Sequence, residues 1–228
     1  MVNKPKVMES TDSKIHHQAE TREKIIKAFI EHVLETGKQP VSVYKFAQGI
    51  GLPEEEFYNY YTSFQGVKGA VWEQIFDETM AMMLAQEVYP SYSAKEKLLS
   101  FHYTWIEVLK RNRSYLLALY EGHADFKKVT PQEVRSFRHK FKDFAKGIII
   151  EGKANDEVVD RKFISDKYDE ALWLETLFIL QFWLKDTSVS FEKTDVAIEK
   201  SVRLVFDLIG RTSVDSFVDL AKFIYQSK

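Results

Sequence analysis

From residue 14 onward, apolar residues recur at three- and four-residue intervals, the period of one face of an α-helix. Ile25, Ile26, Phe29, Ile30, Val33 and Leu34 form the first such stripe. Gly37 offers a stop, and Pro40 lies just beyond it. Ser42 is placed to cap a short second helix, VYKFAQGI, and Gly51 to make a turn. Pro53 suits the first turn of a third short helix, where its missing N–H would have had no intrahelical partner. Phe57, Tyr58 and Tyr61 share one side of that helix, and a long fourth helix is expected over 65–87, before Pro90.

The helical period continues to the end of the chain. Ser93 starts a fifth helix whose buried stripe is Leu98, His102, Trp105 or Ile106, and Leu109. RSYLLALYEG, 113–122, reads as a short sixth. Thr130, Pro131, Gln132 and Glu133 have capping-box spacing with proline at the first helical position, and predict a helix running to about 151. Residues 153–165 are polar and form a connection. Two strong helices follow over 166–185 and 191–209, the second marked by Ile198, Val202, Val205 and Ile209 and ended by Gly210. Ser213 is placed to cap a last amphipathic helix carrying Val214, Phe217, Val218, Ala221 and Ile224. No segment alternates with a period of two, so the expected fold is all-α, about ten helices and no sheet. Residues 1–13 are polar and aperiodic and read as a flexible arm.

Composition narrows the class. Only 9 Gly and 5 Pro among 228 residues leave little material for the tight turns of a β fold. The absence of cysteine excludes a disulfide framework, a thiolate metal site and a thiol nucleophile. The N-terminal stretch has no apolar core of signal-peptide length. The most apolar run, LWLETLFILQFWL at 172–184, is too short to span a bilayer and reads as a buried helix. Net charge is −2, and residues 1–72 hold 9 Lys or Arg against 9 Asp or Glu. Neither half carries the basic excess typical of a nucleic-acid binder. No Gly-rich phosphate loop, HExxH or recognisable Ser–His–Asp set is present, so we expect no enzyme, no cofactor and no metal.

Residues 42–67, SVYKFAQGIGLPEEEFYNYYTSFQGV, read as two short helices joined by a glycine turn, a helix-turn-helix. With one amphipathic helix before it and a long helix after it, this segment resembles the N-terminal domain of the TetR family of transcriptional regulators. The resemblance is carried by Ser42, the pair Phe46-Ala47, the turn Gly51-Leu52, the pair Phe57-Tyr58, Tyr61 and Ser63, and it covers about 21–80. It implies a helix-turn-helix head at 14–72 and a helical ligand-binding and dimerisation domain at 73–228. It also implies a bacterial cytoplasmic homodimer that binds DNA and a small ligand.

On that reading the candidate DNA contacts are Ser42, Tyr58, Asn59 and Tyr60, with Lys45 and Lys68 flanking; Lys4, Lys6, Lys14, His16 and His17 would supply an arm for a groove. Two features depart from the family. Glu54, Glu55 and Glu56 occupy the start of the reading helix, where phosphates and base edges should be met. Phe64 stands where a phosphate-contacting lysine is usual; exposed beside the glutamates, it would suit a protein contact. The alternative is therefore a TetR-fold protein with lost or altered DNA binding, serving as a hydrophobic-ligand, lipid-binding or protein-interaction module. In the second domain, His102, Trp105, Tyr120, His123, Phe137, Phe141 and Phe144 are the candidate pocket for a hydrophobic or aromatic ligand, an acyl chain among them. The helices at 166–185 and 191–209 are the expected dimer surface.

Overall fold

The computed structural model describes residues 6–120, 133–162 and 164–210. These form nine α-helices and no strand among the described residues: α1 Lys6–Thr36, α2 Val43–Gly49, α3 Glu54–Tyr58, α4 Phe64–Leu84, α5 Ala94–Arg111, α6 Arg113–Tyr120, α7 Arg135–Ala154, α8 Tyr168–Lys185 and α9 Glu192–Ile209. The expected capping box at 130–133, for its first three residues, and the helix expected after Ser213 lie outside the described residues.

Local chemistry explains most of the boundaries. Gly37 and Gly51 take φ of +70° and +65°, a region that disfavours side chains with a Cβ, and so end α1 and make the α2–α3 turn. Ser42 accepts a hydrogen bond from the Lys45 N–H at 3.3 Å and caps α2. Pro53 sits one residue earlier than expected, as the cap of α3, with its carbonyl accepting from Glu56 and Phe57. Ser93 and Glu96 close a reciprocal capping box at the start of α5. The Asp186 carboxylate gathers hydrogen bonds from Ser188 and Thr194 ahead of α9. Burial acts to raise its pKa, but these donors prevail and hold it at about 2.

One expectation is corrected. Residues 6–13 are not an arm but the first turns of α1. No glycine or proline interrupts the chain from 6 to 36, and its Lys, Glu and Met residues are good helix formers, so the helix extends beyond its apolar stripe. His16 and His17 are therefore exposed residues on a helix, and His16 pairs with Glu20 one turn on at 3.1 Å.

Two clusters of rings organise the core. In the first, α1 to α4 converge on Phe29, Phe46, Phe57 and Phe64, with centroids 5.4 to 6.4 Å apart. In the second, α4, α5, α7 and α8 enclose Phe76, Phe101, Trp105, Phe137, Phe141 and Trp173. Tyr115 of α6 meets Phe29 edge-on at 6.3 Å and ties α6 to the first cluster. Phe29 is fully buried in that cluster, so Phe29→Ala should lower the unfolding free energy by about 3–5 kcal/mol in a denaturant titration. A loss below about 1 kcal/mol would mean that the head cluster does not hold α1 in place.

Candidate nucleic-acid interface and effector domain

The helix-turn-helix rests on the first ring cluster and turns its polar residues outward. Lys45 and Asn59 are exposed, Tyr58 is about half exposed, and Ser42 and Tyr60 are partly covered. Ser42 Oγ already serves as the α2 cap, which leaves its hydroxyl hydrogen as the group free to donate. Tyr58 donates to Glu54 Oε1 at 3.2 Å. Partial desolvation, then the hydrogen bond and charge of Glu54, raise the Tyr58 pKa above its ordinary value. The three glutamates occupy the first turn of α3, where the helix dipole suits them.

Two expectations for the head change. Phe64 is not an exposed contact: it is 8% accessible and stacks on Phe29 at 5.5 Å, completing the ring cluster. Lys68 is not a flanking DNA contact: its ammonium forms a salt bridge with the buried Glu133. That carboxylate also accepts from Tyr120 Oη at 3.0 Å, and Tyr120 Oη in turn accepts from Trp72 Nε1 at 3.4 Å. The chain Lys68–Glu133–Tyr120–Trp72 links α4 to α6 and to the residues just before α7.

Arg22, which the sequence reading passed over, takes the cationic place at this surface. It projects from α1 over the Tyr61 ring, 5.7 Å from its centroid, and no carboxylate among the described residues pairs with it. It borders two polar crevices. One, of about 430 Å³, is lined with Gln18, Asn59 and Tyr60; the other, of about 340 Å³, reaches Ser63 and Gly66 at the start of α4. The apolar stripe of α1 identifies its inner face but does not say which part of its polar face stands beside α3, so no sequence signal selects Arg22.

In the helical body, five of the candidate pocket residues come together. His102, Trp105, Phe137 and Phe141 are fully buried and Phe144 is partly buried, ring against ring at 5.4 to 6.4 Å. Tyr120 stands apart in the Glu133 network, and His123 lies outside the described residues. Trp105 Nε1 is buried without a hydrogen-bond partner among the described residues. His102 Nε2 lies 3.2 Å from Thr176 Oγ1 and 3.3 Å from Glu175 Oε2, and Ser201 Oγ donates to Glu175 Oε1 at 2.7 Å. Burial pushes Glu175 up to about 8 against the Ser201 hydrogen bond. It pushes His102 down to about 3, with the Leu98 backbone working weakly in the other direction. Near neutrality the pair is thus a carboxylic acid beside a neutral imidazole.

Glu175 also forms part of the floor of a groove of about 940 Å³ between α8 and α9, whose apolar walls include Leu174, Phe178, Val196, Leu204 and Leu208. Each of these five is between 47% and 59% accessible, unusual exposure for so many large apolar side chains on adjoining helices. Among the described residues, no group of three or more His, Asp or Glu is arranged to hold a metal ion, and no helix is long and apolar enough to cross a membrane.

The sequence profile of the family described as "Tetracyclin repressor-like, C-terminal domain" matches residues 97–224, more than half of the chain. The chain belongs to the TetR family. Its fold is also that of solved TetR-family structures. A TetR transcriptional regulator from Nitrosomonas europaea aligns with a TM-score of 0.57 at 12% identity, covering 81% of this chain and 97% of that one. A TetR/AcrR-family regulator from Thermobifida fusca aligns at 0.52 and 21% identity, covering 84% and 100%. A transcriptional regulator from Cytophaga hutchinsonii aligns at 0.52 and 18% identity, covering 83% and 98%. No functionally curated protein matches the chain in sequence.

The Glu175–His102 pair gives this TetR-family chain a stability signature. The folded state keeps the Glu175 proton up to about pH 8, whereas the unfolded chain releases it near 4.5. Its contribution is full below pH 4.5 and is lost as pH rises toward 8. His102 acts in the opposite sense: its folded pKa lies below 6.5, so its contribution is full above that value and is lost as pH falls toward 3. Of this pair, only Glu175 titrates between pH 6.5 and 8. Urea unfolding at fixed protein concentration should therefore show a loss of ~2 kcal/mol across that window, and Glu175→Gln should remove it. Equal wild-type stability at both ends would mean that the buried carboxyl is ionised throughout.

Proposed function

We propose that this TetR-family chain is a ligand-responsive transcriptional regulator that binds DNA as a homodimer. Residues 14–72 form the reading head and residues 73–228 the effector and dimerisation body, with α1 of the head extended back to Lys6. The observation that carries the reading is the helix-turn-helix itself: α2 and α3 are fixed from behind by the Phe46–Phe57–Phe64 cluster and present Lys45, Tyr58, Asn59 and Tyr60 to solvent beside Arg22. Arg22, Lys45 and the Tyr60 hydroxyl are the groups for phosphate, and Asn59 for a base edge.

The exposed α8–α9 groove is the place for the second protomer, where two helix pairs make a four-helix bundle. The effector site is the aromatic layer around His102 and Trp105. A hydrophobic or aromatic ligand carrying one hydrogen-bond acceptor would displace rings there and satisfy the Trp105 N–H that burial leaves unpaired among the described residues, at a gain of about 1–3 kcal/mol. Rings displaced there push on Trp72, Phe76 and Phe137, hence on α4, which carries the head. The shift is bounded by the ligand's differential affinity for the two arrangements.

A second reading is favoured by Glu54, Glu55 and Glu56: a hydrophobic-ligand or protein-interaction module on the same fold that does not read DNA. Fluorescence anisotropy with a random-sequence duplex pool, followed by selection across a salt series, separates the two. Selection of a palindrome with a steep salt dependence is the expected result, and no binding at low salt would leave the second reading standing. Replacing the three glutamates with glutamine should strengthen binding roughly tenfold, ~1.4 kcal/mol, by removing repulsion of the phosphates. Arg22→Ala removes one phosphate contact from each protomer and should reduce the slope of log affinity against log salt by about two. An unchanged affinity in both variants would place the DNA elsewhere.

A further inference from the structure

We propose that the α8–α9 groove closes on a second copy of the chain only while the Glu175 carboxyl carries its proton, so that one buried acid sets the pH range of assembly. The inference rests on the homodimer reading above and adds its regulation.

The groove suits a second copy by size and self-complementarity. Two 18-residue helices side by side offer a face about 27 Å long and roughly 20 Å wide. That is several hundred Å² per protomer, approaching what a stable interface needs. In a two-fold pairing its apolar walls would meet apolar walls. Glu175 is the buried carboxyl group in that surface. On its inner side it meets His102 of α5 and Ser201 of α9; on its outer side it reaches only the groove. Oε1 takes the single donor, Ser201, and Oε2 has none in good geometry among the described residues. Among the described residues, the charged groups along the same groove are Glu192, Lys193 and Lys200 of α9, all exposed, and no hydrogen bond or ion pair joins them to Glu175. Covering the groove removes the remaining water. An ionised Glu175 would then be a buried anion with Ser201 as its one well-placed donor and no cation beside it, whereas the acid form buries no charge. The raised pKa of the carboxyl, about 8 before any partner covers it, agrees with this.

The test is the dimer dissociation constant of the full chain by sedimentation velocity from about pH 7 to 9.5, with circular dichroism at each pH to report folding. Above the carboxyl's pKa, two acids per dimer allow the constant to rise by up to ~100-fold per pH unit. The expected result is a tight dimer near pH 7 that weakens steeply above pH 8, and a Glu175→Gln dimer that does not. Ser201→Ala removes the donor to the carboxylate and should move the wild-type transition upward by favouring the acid form. An infrared band of a protonated carboxyl near neutral pH, absent from Glu175→Gln, reports the same proton without reference to assembly. A dimer equally tight across the range would overturn the inference and leave the homodimer standing. A monomer at every pH would overturn both, and native mass spectrometry of that monomer would show whether a bound acyl compound fills the groove instead.

Discussion

Helix α8 is apolar on nearly every side, and a helix of that kind is stable in water only if other surfaces cover it all round. The rest of the body follows from meeting that demand. Trp173, Leu172 and Leu180 face inward, and Trp173 meets Phe137 and Phe141 of α7. Glu175 and Thr176 face α5 and α9 through His102 and Ser201. Trp183 is closed off by Phe191 and by the Arg113 guanidinium, which lies 4.6 Å from each ring centroid and donates to the Trp183 and Asp186 carbonyls. The described residues cover three sides and leave the fourth open, where Leu174 and Phe178 are about half exposed. The homodimer proposed above would cover that face, so the argument for it comes from the demands of one helix as much as from kinship.

The head poses a different problem, one of charge. A DNA-binding surface draws most of its affinity from phosphate contacts, and here the reading helix begins with three carboxylates. The geometry softens the conflict in one respect. Glu54 is tied to the Tyr58 hydroxyl on α3's own surface, so part of the acid is spent internally. The cations lie at the margins instead, on Arg22 of α1 and Lys45 of α2. A reader built this way would depend on flanking phosphate contacts and hydroxyl donors, and its affinity would be modest and strongly salt-dependent.

Periodicity, glycine and proline made the helices and their order legible in the sequence. Ser42, Gly37, Gly51 and Ser93 act where local chemistry places them, because caps and turns are decided by neighbours in the chain. Contacts between distant elements were less legible. Lys68 reads as a surface cation until Glu133, far along the chain, is brought beside it. Phe64 reads as a lost phosphate contact, but three aromatic neighbours from α1, α2 and α3 make it core. The polar start of α1 lacks an apolar stripe and so reads as unstructured, although its residues are good helix formers and continue the helix. Glu175 reads in the sequence only as a carboxylate within the apolar run at 172–184; its position between an imidazole and a groove depends on how α5, α8 and α9 assemble.

The link between the two halves gives these local facts a common consequence. Helix α4 starts in the head cluster at Phe64 and ends in the body, and the Lys68–Glu133–Tyr120–Trp72 chain holds its first half to α6 and α7. Further along, Lys140 of α7 pairs with Glu73 and Asp77, and Arg111 of α5 pairs with Glu78. The outer pairs are solvent-exposed and individually weak. Glu133 is different: it is buried, and separating it from Lys68 or Tyr120 would leave a charge without its partners at a cost of several kcal/mol. A movement of α4 therefore has to carry Glu133 with it or meet that cost. This favours a rigid-body shift of α4 with α6 and the start of α7 over a slide of α4 alone, and Tyr115 against Phe29 passes such a shift directly to α1.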